Sequence, residues 1–226
     1  MNMKVAPSLM CADLLNIQKE IEILSPRSDY FHVDILDWHY CKNMCLAPCF
    51  MEQIKAITDV PMDAHLYVDN IDAELVQLCI DSGAEIIEMP PEVIARQVYR
   101  LARLIHAQEK KFGIFINPAV SLDIIRPYAQ LIDRLLIMTV DPGFAGQPFV
   151  ERSLEKIEEA AAWKEKYGYH YEIACDGCCN EHYYKVLYEA GCQAFIVGNS
   201  GLFGKDRNDT AHAMEMCLEE IRKATE

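Results

Sequence analysis

Positive charge is scarce in this sequence. It carries 21 Lys and Arg against 35 Asp and Glu, a formal net charge of −14. A surface of that sign repels phosphodiester backbones and anionic bilayers, which excludes nucleic acid and membrane surfaces as partners. It does not exclude one small anion, because backbone N–H groups can bind an anion locally. Long apolar runs are missing too: no stretch of about 18 uninterrupted apolar residues could serve as a membrane span. The opening residues, MNMKVAPSLM, lack the charged segment, apolar run and small-residue cleavage site of a secretory signal. The expectation is a cytoplasmic protein.

Cysteine, by contrast, is plentiful, with ten residues. Cys41, Cys45 and Cys49 are spaced four apart in CKNMCLAPC, and Cys175, Cys178 and Cys179 cluster in CDGCC. An iron–sulfur cluster of the Cys-x3-Cys-x2-Cys type would need a cysteine where Pro48 stands. A structural zinc drawing on both groups is conceivable. The simpler reading is buried or loop thiols in a reducing compartment, and an even count there does not imply disulfides.

The 226 residues, 51% hydrophobic, are enough for one full core and short for two ordinary domains. Strand-like and helix-like runs alternate from end to end. KVAPSLM precedes ADLLNIQKEIEIL, YFHVDIL precedes MEQIKAI, and MDAHLYV precedes DAELVQLCIDSG. EIIEM precedes PEVIARQVYRLARLIHAQ, FGIFINP precedes SLDIIRPYAQLI, and LLIMTV precedes VERSLEKIEEAAAWKEKYG. YEIACD then precedes NEHYYKVLYEAG, and AFIVGN leads to TAHAMEMCLEEIRKA. Short apolar strands alternating with amphipathic helices make a parallel sheet covered by helices. Eight such units in this length predict an α/β fold, a single (β/α)8 TIM barrel spanning residues 1–226. A doubly wound open sheet is the rival.

Chemistry in such barrels sits at the C-terminal ends of the strands. Predicted strand 2 carries His32 and Asp34, two residues apart and therefore on one face. Asp37 follows them and is expected to cap or orient the next loop. Strand 3 carries His65, with Asp63 one step deeper on the same face, and strand 7 ends at Asp176. His32, Asp34, His65 and Asp176 would form an N2O2 set suited to zinc, manganese, cobalt or iron. A shared metal would offset the cost of burying an imidazole and a carboxylate. The alternatives stay open: a strand histidine can be a hydrogen-bonded core residue, and a strand-end aspartate can be a helix cap. The turns DPGFAGQ, CDGC and VGNSGLF follow strands 6, 7 and 8, and glycines there let backbone N–H groups approach an anion. Ser200 and Gly201 would open a short helix beside that anion.

These segments together resemble the ribulose-phosphate 3-epimerase family. APSLMCAD, FHVDILD, DAHLYV, MTVDPGFAGQPF, CDG and AFIVGNSGLF occur in the family's order along essentially the whole chain. The resemblance implies a barrel of the ribulose-phosphate-binding type. It implies one divalent metal per subunit, held by His32, Asp34, His65 and Asp176, with Asp34 and Asp176 also the acid and base. Ser8, His65 and Met138 would contact a small-molecule ketose phosphate. Asp141, Gly143, Phe144, Ala145, Gly146 and Gln147, with Gly177, Cys178, Gly198, Asn199 and Ser200, would surround its phosphate. A homo-oligomer is the expected assembly. PSLMC, DPGFAGQPF and the SGLF ending look closer to D-allulose-6-phosphate 3-epimerases than to ribulose-5-phosphate enzymes, whose loop more often reads Asn-Pro-Gly-Phe-Gly-Gly-Gln.

Several positions depart from the family pattern. Trp38 stands where a glycine is usual, Cys41-Lys42-Asn43 where Val-Pro-Asn is usual, and Met89-Pro90 near a usual histidine. Leu36 and Tyr67 replace methionines. None is a proposed ligand, but Trp38 and Tyr67 are expected to narrow the pocket or stack on the substrate. Orotidine-phosphate decarboxylase relatives use Asp-x-Lys-x-x-Asp, and here Leu36 takes the lysine's place. Predicted strands 2, 3, 6, 7 and 8 carry no lysine, so a Schiff-base aldolase lacks its amine as well. A non-catalytic sugar-phosphate-binding relative is the remaining alternative, and turnover would separate it from an epimerase.

Overall fold

The computed structural model describes residues 3–226. Among the described residues there are nine strands: β1 (Lys4–Pro7), β2 (Phe31–Asp37), β3 (Met44–Cys45), β4 (Met62–Tyr67), β5 (Ala84–Met89), β6 (Lys111–Ile116), β7 (Arg134–Met138), β8 (Glu172–Asp176) and β9 (Ala194–Val197). Their order is β1-β9-β8-β7-β6-β5-β4-β2-β3. All neighbours pair in parallel except β3, which is antiparallel to β2. The sheet closes where β1 meets β2: Ser8 and His32 form a parallel bridge, and Asp29 N–H donates to Val5 O at 3.0 Å. The eight predicted strands are therefore the eight staves of a closed barrel. The two-residue β3 is an addition that the sequence did not announce, a hairpin folding back over the end of β2.

Eight helices cover the barrel: α1 (Ile17–Leu24), α2 (Pro48–Lys55), α3 (Ala73–Asp81), α4 (Pro91–Ile94), α5 (Val98–His106), α6 (Arg152–Tyr167), α7 (Tyr184–Ala190) and α8 (Thr210–Thr225). Asp72 caps α3 by accepting from Leu75 N–H, and Asp209 caps α8 by accepting from His212 N–H. Three predicted helices are modified. The first begins at Ile17 rather than Ala12, because Asp13 accepts from Leu15 N–H and from the Asn16 amide and holds a turn there. The fourth breaks into α4 and α5 around Ala95–Gln97. The fifth is a tight 3-10 segment, Leu122–Leu131, kinked beside Pro127. Among the described residues no helix is long and apolar enough to cross a membrane.

Strand alternation divides the apolar residues into two groups. Val33, Ile35, Leu66, Ile87, Ile114, Ile137 and Ile173 face outward and pack with Val76, Leu101, Ile157 and Leu187 of the helices. Ala6, Leu36, Tyr67, Ile86, Phe115, Leu136, Met138 and Ile196 fill the barrel interior. The same inward positions carry Ser8, His32, Asp34, Asp63, His65, Glu88 and Arg134, all buried. The period that builds the core thus also stacks polar groups down the barrel axis.

Candidate metal centre and substrate cleft

Strand register sets the heights of the polar residues. In the β2–β4 pair, Asp34 lies opposite His65, and His32, one step deeper, lies opposite Asp63. Asp176 enters from the end of β8, opposite Met138 of β7. His32 Nε2 lies 2.9 Å from His65 Nδ1, 3.3 Å from Asp34 Oδ1 and 3.7 Å from Asp176 Oδ2. His65 Nδ1 lies 3.5 Å from Asp34 Oδ1 and 3.6 Å from Asp176 Oδ2. One donor atom from each of the four falls within 4.8 Å of the others.

Two imidazole nitrogens and two carboxylate oxygens converging on one point are a donor set for zinc, manganese, cobalt or iron, so the residues present fit a divalent cation. Both histidines are fully buried. The unpaired burial of such groups is costly, and a shared cation is the arrangement that offsets it.

The four groups differ in their hold on protons. Burial would raise Asp34, but the His32 charge and hydrogen bonds from His32 and His65 hold it well below the usual carboxylate range. Burial, with the Asp34 and Asp63 charges, outweighs His32 at Asp176 and pushes it up to about 7. Burial and the nearby His32 charge bring His65 down to about 4, against the pull of Asp34. His32 is also penalised by burial, yet the Asp63 and Asp34 charges raise it well above its ordinary value. Ser8 Oγ donates to Asp34 Oδ2 at 2.7 Å and fixes that carboxylate.

Above this floor lies a narrow cleft open to solvent. It is lined by Ser8, Asp34, Met138, Asp176 and Gly177, by Asp141 and Gly143–Gly146 of the loop after β7, and by Gly198, Asn199 and Ser200 after β9. The turn after β9 is a wide helical turn, Asn199–Phe203, that begins one residue earlier than expected. Gly177 adopts φ 121°, and a Cβ there would stand 2.7 Å from Thr139 Oγ1, so this turn accepts only glycine without strain. His32 and His65 lie beneath the cleft floor. Gln147 is turned back, donating to Asp141 O at 2.6 Å and Phe144 O at 2.9 Å. Cys178 does not line the cleft; its N–H donates to Thr139 Oγ1 at 3.0 Å.

Asp37 orients the loop after β2 by accepting from the backbone N–H groups of His39, Tyr40 and Asp69. Trp38 differs from its expected role. It is half exposed, does not line the cleft, and holds φ 70°, the left-handed conformation that favours glycine. Tyr67 is a cleft wall: its ring lies 4.0 Å from that of His65, and its hydroxyl donates to Met138 Sδ at 3.4 Å. Met10, Cys11 and Val140 also line the cleft and were not picked out from the sequence. The first two closely follow Ser8, so the strand-end rule reaches them, but their segment reads as the approach to a helix. All ten cysteines are free thiols.

The chain has relatives among known proteins and solved structures. The chain is 33% identical to ribulose-phosphate 3-epimerase of Helicobacter pylori strain J99, over 91% of this chain and 93% of that protein. It is 31% identical to the Bacillus subtilis ribulose-phosphate 3-epimerase, over 90% and 94%. Among solved structures, 3-hexulose-6-phosphate synthase from Salmonella typhimurium superposes with a TM-score of 0.73 at 14% identity, covering 98% of this chain and 100% of that one. KGPDC from Streptococcus mutans gives 0.75 at 12% identity, covering 98% of each chain. These last two likenesses establish the barrel fold alone. The model of the ribulose-phosphate 3 epimerase family matches residues 4–203, and with relatives above 30% identity over nine tenths of its length the chain belongs to that family.

Proposed function

We propose that this protein is a metal-dependent 3-epimerase of ketose phosphates in which Asp34 and Asp176 are the acid/base pair. The observation that carries the reading is the convergence of these two carboxylates from different strands on one point. They sit on β2 and β8 at the floor of one cleft, with Asp34 Oδ1 3.3 Å and Asp176 Oδ2 3.7 Å from the same His32 Nε2.

The proton on C3 of a ketose is acidified by the neighbouring C2 carbonyl, and its removal gives an enediolate. In one direction Asp34 takes that proton, and Asp176 returns one to the opposite face, inverting C3. In the reverse direction the roles exchange, as a coupled pair allows. His32, Asp34, His65 and Asp176 would hold a divalent cation, which supplies Lewis-acid stabilisation of the developing negative charge. Ser8 keeps Asp34 in its orientation through Oδ2. Gly143–Gly146 and Gly198–Ser200 line the space where a phosphate would bind, the Gly177 N–H donates to Asp176 Oδ1 at 2.6 Å, and Met10, Tyr67 and Met138 are walls that would limit water at the reacting carbon.

Within this chemistry we assign D-allulose 6-phosphate and D-fructose 6-phosphate as the pair interconverted, on the loop DPGFAGQPF and the SGLF ending. The names of the similar proteins favour D-ribulose 5-phosphate as the second reading. Solvent-deuterium incorporation at C3, followed by proton NMR on each of the three ketose phosphates with metal and then with chelator, decides between them. Metal-dependent exchange with inversion, fastest on allulose 6-phosphate, is the expected result. Fastest exchange on ribulose 5-phosphate reassigns the substrate. No exchange on any of them with metal bound overturns the epimerase reading.

A further inference from the structure

Beneath the four-residue site the barrel holds a second polar cluster that proton transfer at C3 leaves unexplained. Arg134 points inward from the start of β7 and is 1% exposed. Its Nε and Nη2 donate to Glu172 Oε1 at 2.9 and 2.5 Å, its Nη1 donates to Asp63 Oδ2 at 2.8 Å, and its guanidinium lies 4.4 Å from the Tyr30 ring centroid. A planar group held on three sides has little freedom to turn. The other oxygen of Asp63 stands 2.6 Å from His32 Nδ1. Glu88 lies alongside, 3.7 Å from Arg134 Nη1, in space that β6 leaves open by carrying Gly113: a Cβ there would come within 2.6 Å of Glu88 Cγ.

Stability alone is a weak account of this cluster. Buried ion pairs rarely outperform apolar side chains of the same volume, and breaking one by removing a single partner is costly. The cluster is also one-sided. The outer nitrogens differ in their neighbours: His32 Nδ1 has an oxygen of the clamped Asp63 carboxylate 2.6 Å away, off the direction of an aligned hydrogen bond, whereas His65 Nε2 is buried against Tyr67 and Phe115. A carboxylate behind an imidazole favours the proton on the nitrogen it faces and so frees the lone pair on the opposite nitrogen. Here that opposite nitrogen is Nε2, the atom aimed at Asp34, His65 and Asp176.

We infer that Asp63 and Arg134 are positioning residues for His32: Arg134 holds the Asp63 carboxylate in place, and Asp63 sets the tautomer that directs His32 Nε2 at the metal position. The inference rests on the metal-dependent reading above. It assigns neither residue a contact with substrate.

Metal affinity tests it without any need for turnover. Zinc and cobalt binding are measured by chelator competition on the full chain, with Asp63→Asn, Arg134→Met and the double variant. Asp63→Asn is expected to weaken binding by about 10- to 100-fold and to shift the visible bands of the cobalt form. The double variant leaves no buried unpaired charge from this pair. A merely structural role would let it bind metal as the parent does, whereas positioning requires its affinity to remain low. Should the variants fail to fold, nitrogen-15 NMR of the metal-free parent decides alone, with the neutral His32 ring expected to keep its proton on Nδ1. Affinity within about threefold of the parent in both Asp63→Asn and the double variant, or a proton on Nε2, overturns the inference while leaving the metal site standing. A parent that binds neither cation overturns the metal-dependent reading, and this inference with it.

Discussion

His32 and His65 meet through different nitrogens, Nε2 of one 2.9 Å from Nδ1 of the other. Register explains the asymmetry. His32 lies one step deeper, opposite Asp63, and reaches up with its distal nitrogen, while His65 lies level with Asp34 and offers its proximal one. The meeting point is under the cleft floor, so a cation held there binds the folded chain only. Stripping divalent metal is expected to abolish C3 exchange and lower the thermal midpoint. Restoring metal at about 100 times its dissociation constant should return roughly 2.7 kcal/mol of stability. Exchange that survives chelation, with metal content shown to be zero, would reject metal dependence.

Metal affinity should rise with pH. Asp176 is pushed up to about 7 by burial and the neighbouring carboxylate charges, so below that pH a cation must displace its proton. His32, raised well above its ordinary value, acts in the same direction. His65, brought down to about 4, is already neutral and does not compete. Chelator competition at pH 6 and pH 8 is expected to show tighter binding at pH 8, with protons released on binding. Equal affinity at the two values would refute the protonation of Asp176.

Asp176→Asn keeps the volume of the side chain and removes its basicity. Its epimerisation rate is expected to fall by about 10²- to 10⁴-fold or more, since the group is both proton carrier and ligand. The measurement is C3 exchange alongside metal content and circular dichroism. A well-folded variant with near-parental exchange would sink the two-carboxylate mechanism.

Glu88 supplies a stability prediction. Burial and the Asp63 charge push it up to about 8, against Arg134 and His32. Because its folded value lies above its unfolded one, the folded state favours the protonated form, and that contribution is lost as pH rises from about 4.5 through 8. Glu88→Gln has no proton to lose. Its thermal midpoint should therefore gain on the parent's as pH climbs from 5 to 8.5, and a constant difference would contradict the assignment.

Trp38 and Tyr67 separate strain from specificity. Trp38→Gly relieves a left-handed residue at a cost in chain entropy, so stability is expected to change by no more than about 1 kcal/mol. Relative activity on five- and six-carbon ketose phosphates should stay the same. Tyr67→Met, which alters a cleft wall, should shift that ratio. The reverse pattern would return Trp38 to the pocket.

The sequence alone determined the eight strand–helix units, because apolar period and turn chemistry are local. It also determined which face of each strand His32, Asp34 and His65 share, because side-chain alternation needs no knowledge of partners. Tertiary structure decided what only register and closure can decide. The depth of His32 beside Asp63 follows from pairing between β2 and β4. The burial of Arg134 and Glu88 follows from which face of their strands turns inward on closure, and flanking charges in IDRLLIMTV and EIIEM look solvent-facing until the barrel is closed. The left-handed backbone at Trp38 is set by the hairpin that adds β3, which no local preference for tryptophan would encode. Local chemistry thus specified the staves and their polar marks; the height at which those marks meet is a property of the closed sheet.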